Sequence, residues 1–179
     1  MRTIVTTGLL VTAILAGAAA LGRSVHAGQT TATGDSARIQ ALEDREAIRA
    51  LLAEYGRTLD ARDFTAFSRL FSRDAEFVGG AGVPAKGPEA IGALLGRTIQ
   101  ANYPDSKGRN LHLFANETID VKGNEATAIS KGAFVGANAE NQPVWFQIAT
   151  YQDQFVREDG RWKFKRHEIH GDVPVPRAR

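Results

Sequence analysis

The chain has 179 residues, 43% hydrophobic and 23% charged, which fits one globular domain and excludes a disordered or low-complexity protein. It contains no cysteine, so disulfides, thiol nucleophiles and cysteine metal sites are excluded as well. The formal charge of +2 includes Arg2 and Arg23, the only charged residues before Gly28; without them Lys plus Arg equals Asp plus Glu, and no concentrated positive face is left for nucleic acid.

Arg2, the mostly apolar residues 4–21 and the small-residue sequence Val25-His26-Ala27 form a secretory signal pattern, so residues 1–27 are expected to be removed. The apolar run is rich in Ala, Gly and Thr rather than Leu and Ile, which favours cleavage after Ala27 over an uncleaved anchor and leaves no stable membrane span. An exported domain without disulfides suits a bacterial periplasm better than a stapled secreted module, so the expected location is periplasmic or secreted. Residues 28–35 are small and polar and read as a flexible linker, 36–173 as the folded domain and 174–179 as a tail.

From Ser36 the apolar period is helical: Ile39, Leu42, Ile48, Leu51, Leu52, Tyr55 and Leu59 recur at spacings of three and four, which predicts one long helix. Asp63 is placed to cap a shorter second helix with Phe64, Phe67, Leu70 and Phe71 on one face. A short strand is expected over 75–78. A Gly- and Pro-rich connection then delivers Pro88 to the first turn of a third helix carrying Ile91, Leu94, Leu95 and Ile99. Beyond residue 110 the character changes: 111–121, 125–135, 144–156 and 162–169 are rich in β-branched and aromatic residues, with Lys122-Gly123-Asn124 and Asp159-Gly160 as turn chemistry. Helices first and strands afterwards predict an α+β domain with an antiparallel meander rather than alternating βαβ units.

On a helical wheel Asp60 falls at the border of the stripe holding Ile48, Leu52, Tyr55 and Leu59. Two readings stay open: a residue at the helix end, or a partly buried carboxylate that needs a partner. Strand alternation puts His112, Phe114 and Asn116 on one face. His112 and Asn116 are then either hydrogen-bonded core residues, or His112 is a ring that Asp60 orients so that its other nitrogen handles a proton. Tyr55, Tyr151 and Trp145 could each turn a polar tip towards a ligand in an apolar cavity. His167 and His170 lie on opposite faces of a strand, a poor chelate, and no metal is expected. The Asn116-Glu117-Thr118 sequon falls within a strand, and no phosphate-cradling loop or Gly-flanked nucleophilic Ser is present.

Taken together, Asp44-Arg45-Glu46-Ala47-Ile48, Tyr55, Leu59-Asp60, Asp63-Phe64, Leu70-Phe71 and Asp74-Ala75 resemble the opening of SnoaL-like domains of the nuclear transport factor 2-like superfamily. Gly87 to Ile91, the strand from His112 to Asn116, the Gly123-Asn124 turn and the stretch from Tyr151 to Trp162 extend the resemblance over roughly residues 39–166. It implies a cone, in which a curved antiparallel sheet packs on three N-terminal helices and leaves a pocket at its open end. The superfamily includes lyases, isomerases, hydrolases and members without catalysis.

Scytalone dehydratase is the nearest chemical model, since its catalytic Asp and one of its two catalytic histidines match Asp60 and His112. The tyrosine before that Asp is Leu59 here, the region of the second histidine (136–138) contains none, and a substrate-binding Asn falls at Tyr151. The base and oxyanion pair of ketosteroid isomerase find no place on the chain. The resemblance thus implies a cofactor-independent lyase or isomerase for a hydrophobic or aromatic small molecule, with Asp60 and His112 catalytic; Tyr55, Asn116, Trp145 and Tyr151 are expected, from the reading of the residues above, to bind substrate. A homodimer through the outer face of the sheet is also implied. The alternatives are a non-catalytic carrier of the same fold and a pure assembly module.

Overall fold

The structure, a computed structural model, describes residues 22–79, 84–106 and 108–173. The expected signal segment up to residue 21 and the tail at 174–179 lie outside the described residues. The chain divides into two units, Met1–Gln40 and Ala41–Arg179.

Helix α1 runs over Gly22–Asp60, so residues 28–35, expected as a linker, are helical instead. No proline interrupts the sequence from Gly22 to Asp60, and an established helix propagates at one hydrogen bond per residue ordered. Ile39 and Leu42, assigned to the apolar stripe, are exposed. Burial begins at Asp44 and continues through Ile48, Leu51, Leu52, Tyr55 and Leu59. Among the described residues no helix is long and apolar enough to cross a membrane.

The end of α1 is fixed by backbone chemistry. Asp63 N–H donates to Thr58 C=O at 2.9 Å and Arg62 N–H to Leu59 C=O at 3.0 Å, with Arg62 left-handed at φ 59°. This is the Schellman closure, built on an arginine where glycine is usual. The Arg62 guanidinium offsets the backbone strain by donating to Ser106 Oγ at 2.5 Å. Helix α2, Phe64–Ser68, has the expected Asp63 cap, whose carboxylate accepts from Ala66 N–H at 2.8 Å. Phe71, expected on that helix, instead opens strand β1 (Phe71–Val78) and is fully buried. Strand β2 (Ala85–Lys86) and helix α3 (Pro88–Asn102, proline in its first turn) follow.

Strands β3 (Asn110–Lys122), β4 (Glu125–Ala137), β5 (Pro143–Glu158) and β6 (Arg161–Gly171) form the expected antiparallel meander. Gly123 has φ 62°, and Asp159 and Gly160 have φ 51° and 76°, the left-handed values that tight hairpins demand. The six-stranded sheet has the order β2-β1-β6-β5-β4-β3, and β1 pairs parallel to β6, which a pure meander does not include. Register shifts interrupt β3 between Ala115 and Thr118, the β4–β5 pair between Phe134 and Val135, and the β5–β6 pair between Gln154 and Phe155. Each inserted residue bends its strand and reverses the side-chain alternation beyond it. The core is aromatic: Tyr55, Phe67, Phe71, Phe155 and Phe164 are all buried.

One polar staple ties α1 to the β5–β6 hairpin. The buried Asp44 carboxylate pairs with the Arg157 guanidinium and accepts from Trp162 Nε1–H at 3.2 Å, while Arg157 lies 4.7 Å above the Trp162 ring.

Candidate active site

The closure at Arg62 places Asp60 in the last turn of α1, beside β3, which among the described residues has no strand partner on its outer side. An edge strand exposes unpaired backbone N–H groups, and Asp60 satisfies one of them. His112 N–H donates to Asp60 Oδ2 at 3.0 Å and Oδ1 at 3.2 Å. The His112 ring folds onto the same carboxylate, with Nδ1 2.6 Å from Oδ1. Asn110 Nδ2–H donates to Oδ1 at 2.6 Å. Three donors from one strand therefore hold the carboxylate in a single orientation.

The backbones meet closely because residue 56 is glycine. A Cβ there would stand 3.1 Å from His112 O and 3.3 Å from His112 Cβ. Any side chain would push β3 away and lengthen the Asp60–His112 bond.

With Asp60 accepting at Nδ1, the ring carries its proton on Nδ1 and leaves the Nε2 lone pair for other work. The ring stacks on Phe134 at 4.2 Å and 10°, which fixes its plane. Side-chain exposure of 8% for His112 and 19% for Asp60 leaves the pair sheltered but reachable. A cleft of about 620 Å³ runs beside it, lined by Leu52, Ala53 and Asp60 on the helix and by residues 111–114 on the strand, a size suited to a small organic molecule. The cations at its edge are each engaged: Arg49 Nε–H donates to Glu117 at 2.9 Å and Arg57 Nε–H to Glu54 at 2.6 Å. Such an arrangement can abstract a proton beside a carbonyl, eliminate water or activate water.

The other expected site residues are placed differently. Tyr55 and Tyr151 are core residues with 2% exposure and do not border the cleft. Burial is the main cause that pushes both hydroxyls above the ordinary tyrosine range, followed for Tyr55 by the neighbouring Tyr151 and then Asp153 and for Tyr151 by Asp153, so they stay protonated. Asn116 sits in the β3 bulge at φ 55° and is exposed rather than sharing the inner face with His112. Trp145 is 54% exposed and stands opposite Val135 on the outer face of the sheet. His167 and His170 separate as strand alternation requires, His167 buried and His170 exposed.

Sequence reasoning missed Asn110 as the third group on Asp60, and it missed a second His–Asp pair. His167 Nδ1 lies 2.6 Å from Asp153 Oδ1, with both side chains fully buried. The signal for Asp153 was there, since it shares an alternation phase with the buried Tyr151 and Phe155.

Comparison with known proteins agrees with this architecture. Residues 40–168 match the sequence profile of the SnoaL-like domain. No curated protein sequence matches the chain. Among solved structures, a nuclear transport factor 2-like protein with a cystatin-like fold from Novosphingobium aromaticivorans is 28% identical, with a TM-score of 0.69 over 80% of this chain and 91% of that one. A candidate scytalone dehydratase from the same organism is 25% identical, with a TM-score of 0.65 over 78% of this chain and 91% of the other. The hexachlorocyclohexane dehydrochlorinase LinA-type3 from Novosphingobium barchaimii is also 25% identical, with a TM-score of 0.64 over 76% and 91%. The chain belongs to the SnoaL-like domain family, within the nuclear transport factor 2-like superfamily.

Proposed function

We propose that this chain is a cofactor-independent lyase or isomerase acting on a hydrophobic or aromatic small molecule. The observation that carries the reading is the 2.6 Å contact between Asp60 Oδ1 and His112 Nδ1 beside an apolar cleft. In this reading His112 Nε2 takes a proton from the substrate, and Asp60 fixes the ring tautomer and stabilises the imidazolium that forms. Both enzymes named among the similar structures carry out eliminations by name, a dehydratase and a dehydrochlorinase, and this supports the reaction class. The test is turnover of hydroxylated aromatics, polyketides and steroids by the wild type and by dyad variants. A ligand that binds but is converted equally by wild type and variants would replace the enzyme with a carrier.

A homodimer is proposed on a separate observation. The outer face of the sheet carries Leu111 and Leu113 on β3, Ala133 and Val135 on β4, and Trp145 and Ile148 on β5, adjacent to one another in register. Leu111, Leu113 and Trp145 are each about half exposed, an apolar cluster that a second copy would cover. Sedimentation of the folded protein should give twice the monomer mass, and Leu113→Glu should return it to monomer without lowering its helix content. A wild type that stays monomeric at high concentration rules the interface out.

Export through the N-terminal signal belongs to the same proposal, supported by Arg2, the apolar residues 4–21 and the small residues before Gly28. Intact mass of the protein from its own host should show a chain beginning near Gly28, and a full-length cytoplasmic species would contradict export.

A further inference from the structure

We propose that Asn110 is the positioning residue of the dyad: its side-chain amide sets the rotation of the Asp60 carboxylate and thereby keeps the proton of the His112 ring on Nδ1. The proposal deepens the reading above and rests on it, since it names the group that keeps Nε2 free for the substrate.

The last torsion of an aspartate side chain is broad and two-fold, so the carboxylate turns easily unless a donor stops it. Among the described residues three groups donate to Asp60: the His112 backbone, the His112 ring and Asn110. The backbone N–H reaches Oδ2 at 3.0 Å and Oδ1 at 3.2 Å. A donor shared this evenly holds the carboxylate as a whole and does not choose between its oxygens. Asn110 does choose. Its Nδ2–H goes to Oδ1 at 2.6 Å, the same oxygen that stands 2.6 Å from His112 Nδ1.

The amide itself has one usable orientation. Turned over, it would set Asn110 Oδ1 against Asp60 Oδ1, two acceptors with no hydrogen between them. In the orientation it takes, Asn110 Oδ1 is buried and, among the described residues, meets no donor. A buried acceptor left unmet costs stability, so packing alone is a poor reason for an asparagine here, and the bond that its NH₂ group makes is a good one. Its surroundings strengthen that bond. Asn110 stands opposite Gly136 on β4, and the Phe146 ring fills the space where a side chain at 136 would go. Phe146 packs 5.0 Å from Phe134, the ring on which His112 is stacked, so the wall on this side is apolar. A hydrogen bond to a carboxylate gains strength in such a setting.

Asn110 thus occupies one acceptor position of Oδ1 and turns the other towards the ring. An amide has no proton to give up in the working range, so this oxygen stays an acceptor towards Nδ1 throughout. Without Asn110 the carboxylate can swing, the Nδ1 bond loosens and the two ring tautomers mix.

The tautomer is read by ¹⁵N NMR of the labelled full chain in mildly alkaline buffer, where a neutral ring has one protonated and one bare nitrogen. Wild-type His112 should show Nδ1 protonated and Nε2 bare. Asn110→Leu keeps the side-chain volume and removes the donor, so the two nitrogen shifts should move towards each other. Asn110→Ala should do the same and serves if the leucine variant does not fold. His167, bonded to Asp153 at 2.6 Å, should keep its shifts in every variant and is the internal control. The kinetic readout is deuterium uptake at the α-carbon of 2-tetralone in heavy water, which should slow by about 10-fold with the half-saturating concentration unchanged, the effect of a small misplacement. Asp60→Asn separates the two levels. If it leaves the His112 ring as in the wild type, the dyad itself fails. If it moves the proton to Nε2 while both Asn110 variants keep the wild-type shifts, the dyad stands and the role of Asn110 is overturned. A loss of exchange matched by an equal loss of 2-tetralone binding also overturns it, because Asn110 would then shape the cleft.

Discussion

Replacing His112 by alanine should lower kcat/KM by about 10²- to 10⁴-fold on whichever panel compound is turned over, the usual effect of losing a positioned acid or base. Asp60→Asn should fall in the same range for a different reason. Asparagine keeps the shape, and its oxygen can still accept the His112 backbone N–H that Asp60 now accepts at 3.0 Å. Its amide nitrogen, however, can donate to Nδ1 and favour the ring tautomer with the proton on Nε2, leaving no lone pair for the substrate. Binding of a non-reacting analogue should change little in either variant, because Leu52, Ala53 and Phe114 also line the cleft and are unaltered. A fall in kcat with an unchanged dissociation constant is the expected pattern. Equal loss of binding and turnover would mean that the pair shapes the cleft rather than working on the substrate.

The largest effect on stability should come from Asp44→Ala. It removes a carboxylate that is 6% exposed and leaves Arg157 and the Trp162 N–H without their partner. Breaking a buried pair from one side typically costs 3–5 kcal/mol, and because Arg157 is 26% exposed the lower end applies, about 3 kcal/mol. For a domain of this size that corresponds to a fall in Tm of roughly 6–12 °C. Calorimetry of the double variant Asp44→Ala/Arg157→Met distinguishes the cause. If the stranded charge dominates, the double variant recovers part of the loss; if lost packing dominates, it is the worse of the two.

The change of period after Ile99 located the boundary between helices and meander, and Asp63, Pro88 and the two hairpin turns lie where their local chemistry puts them, because each works within a few residues. Asp60 and His112 were legible for a related reason. Each falls on a predictable face of a regular element before any irregularity intervenes. The failures follow the bulges. Alternation assigned Asn116 to the His112 face, but an inserted residue in β3 reverses the phase between Ala115 and Thr118. Trp145 lies beyond the β4–β5 shift at Phe134 and ends on the outer face. Phe164 and His167, three residues apart, are both buried because β6 carries its own inserted residue. One residue decides each phase, and composition does not show where it falls.

The pairings missed were those between distant segments. Asp44 and Arg157, or Asp153 and His167, are joined only once the sheet has closed, and a lone aspartate in a helix or strand does not announce its partner. The resemblance to SnoaL-like domains supplied Asp60 and His112 and was silent on these pairings.

The most direct test of the central claim is hydrogen exchange at carbon. Ketones bearing an acidic α-carbon within an aromatic or polycyclic frame, incubated with the protein in heavy water, report proton abstraction whether or not a later bond breaks. The account predicts deuterium uptake at that carbon, followed by mass spectrometry or proton NMR, that is faster than in buffer and that His112→Ala and Asp60→Asn both abolish. Exchange that persists unchanged in the His112→Ala protein, or a panel on which the wild type never exceeds buffer, would contradict it.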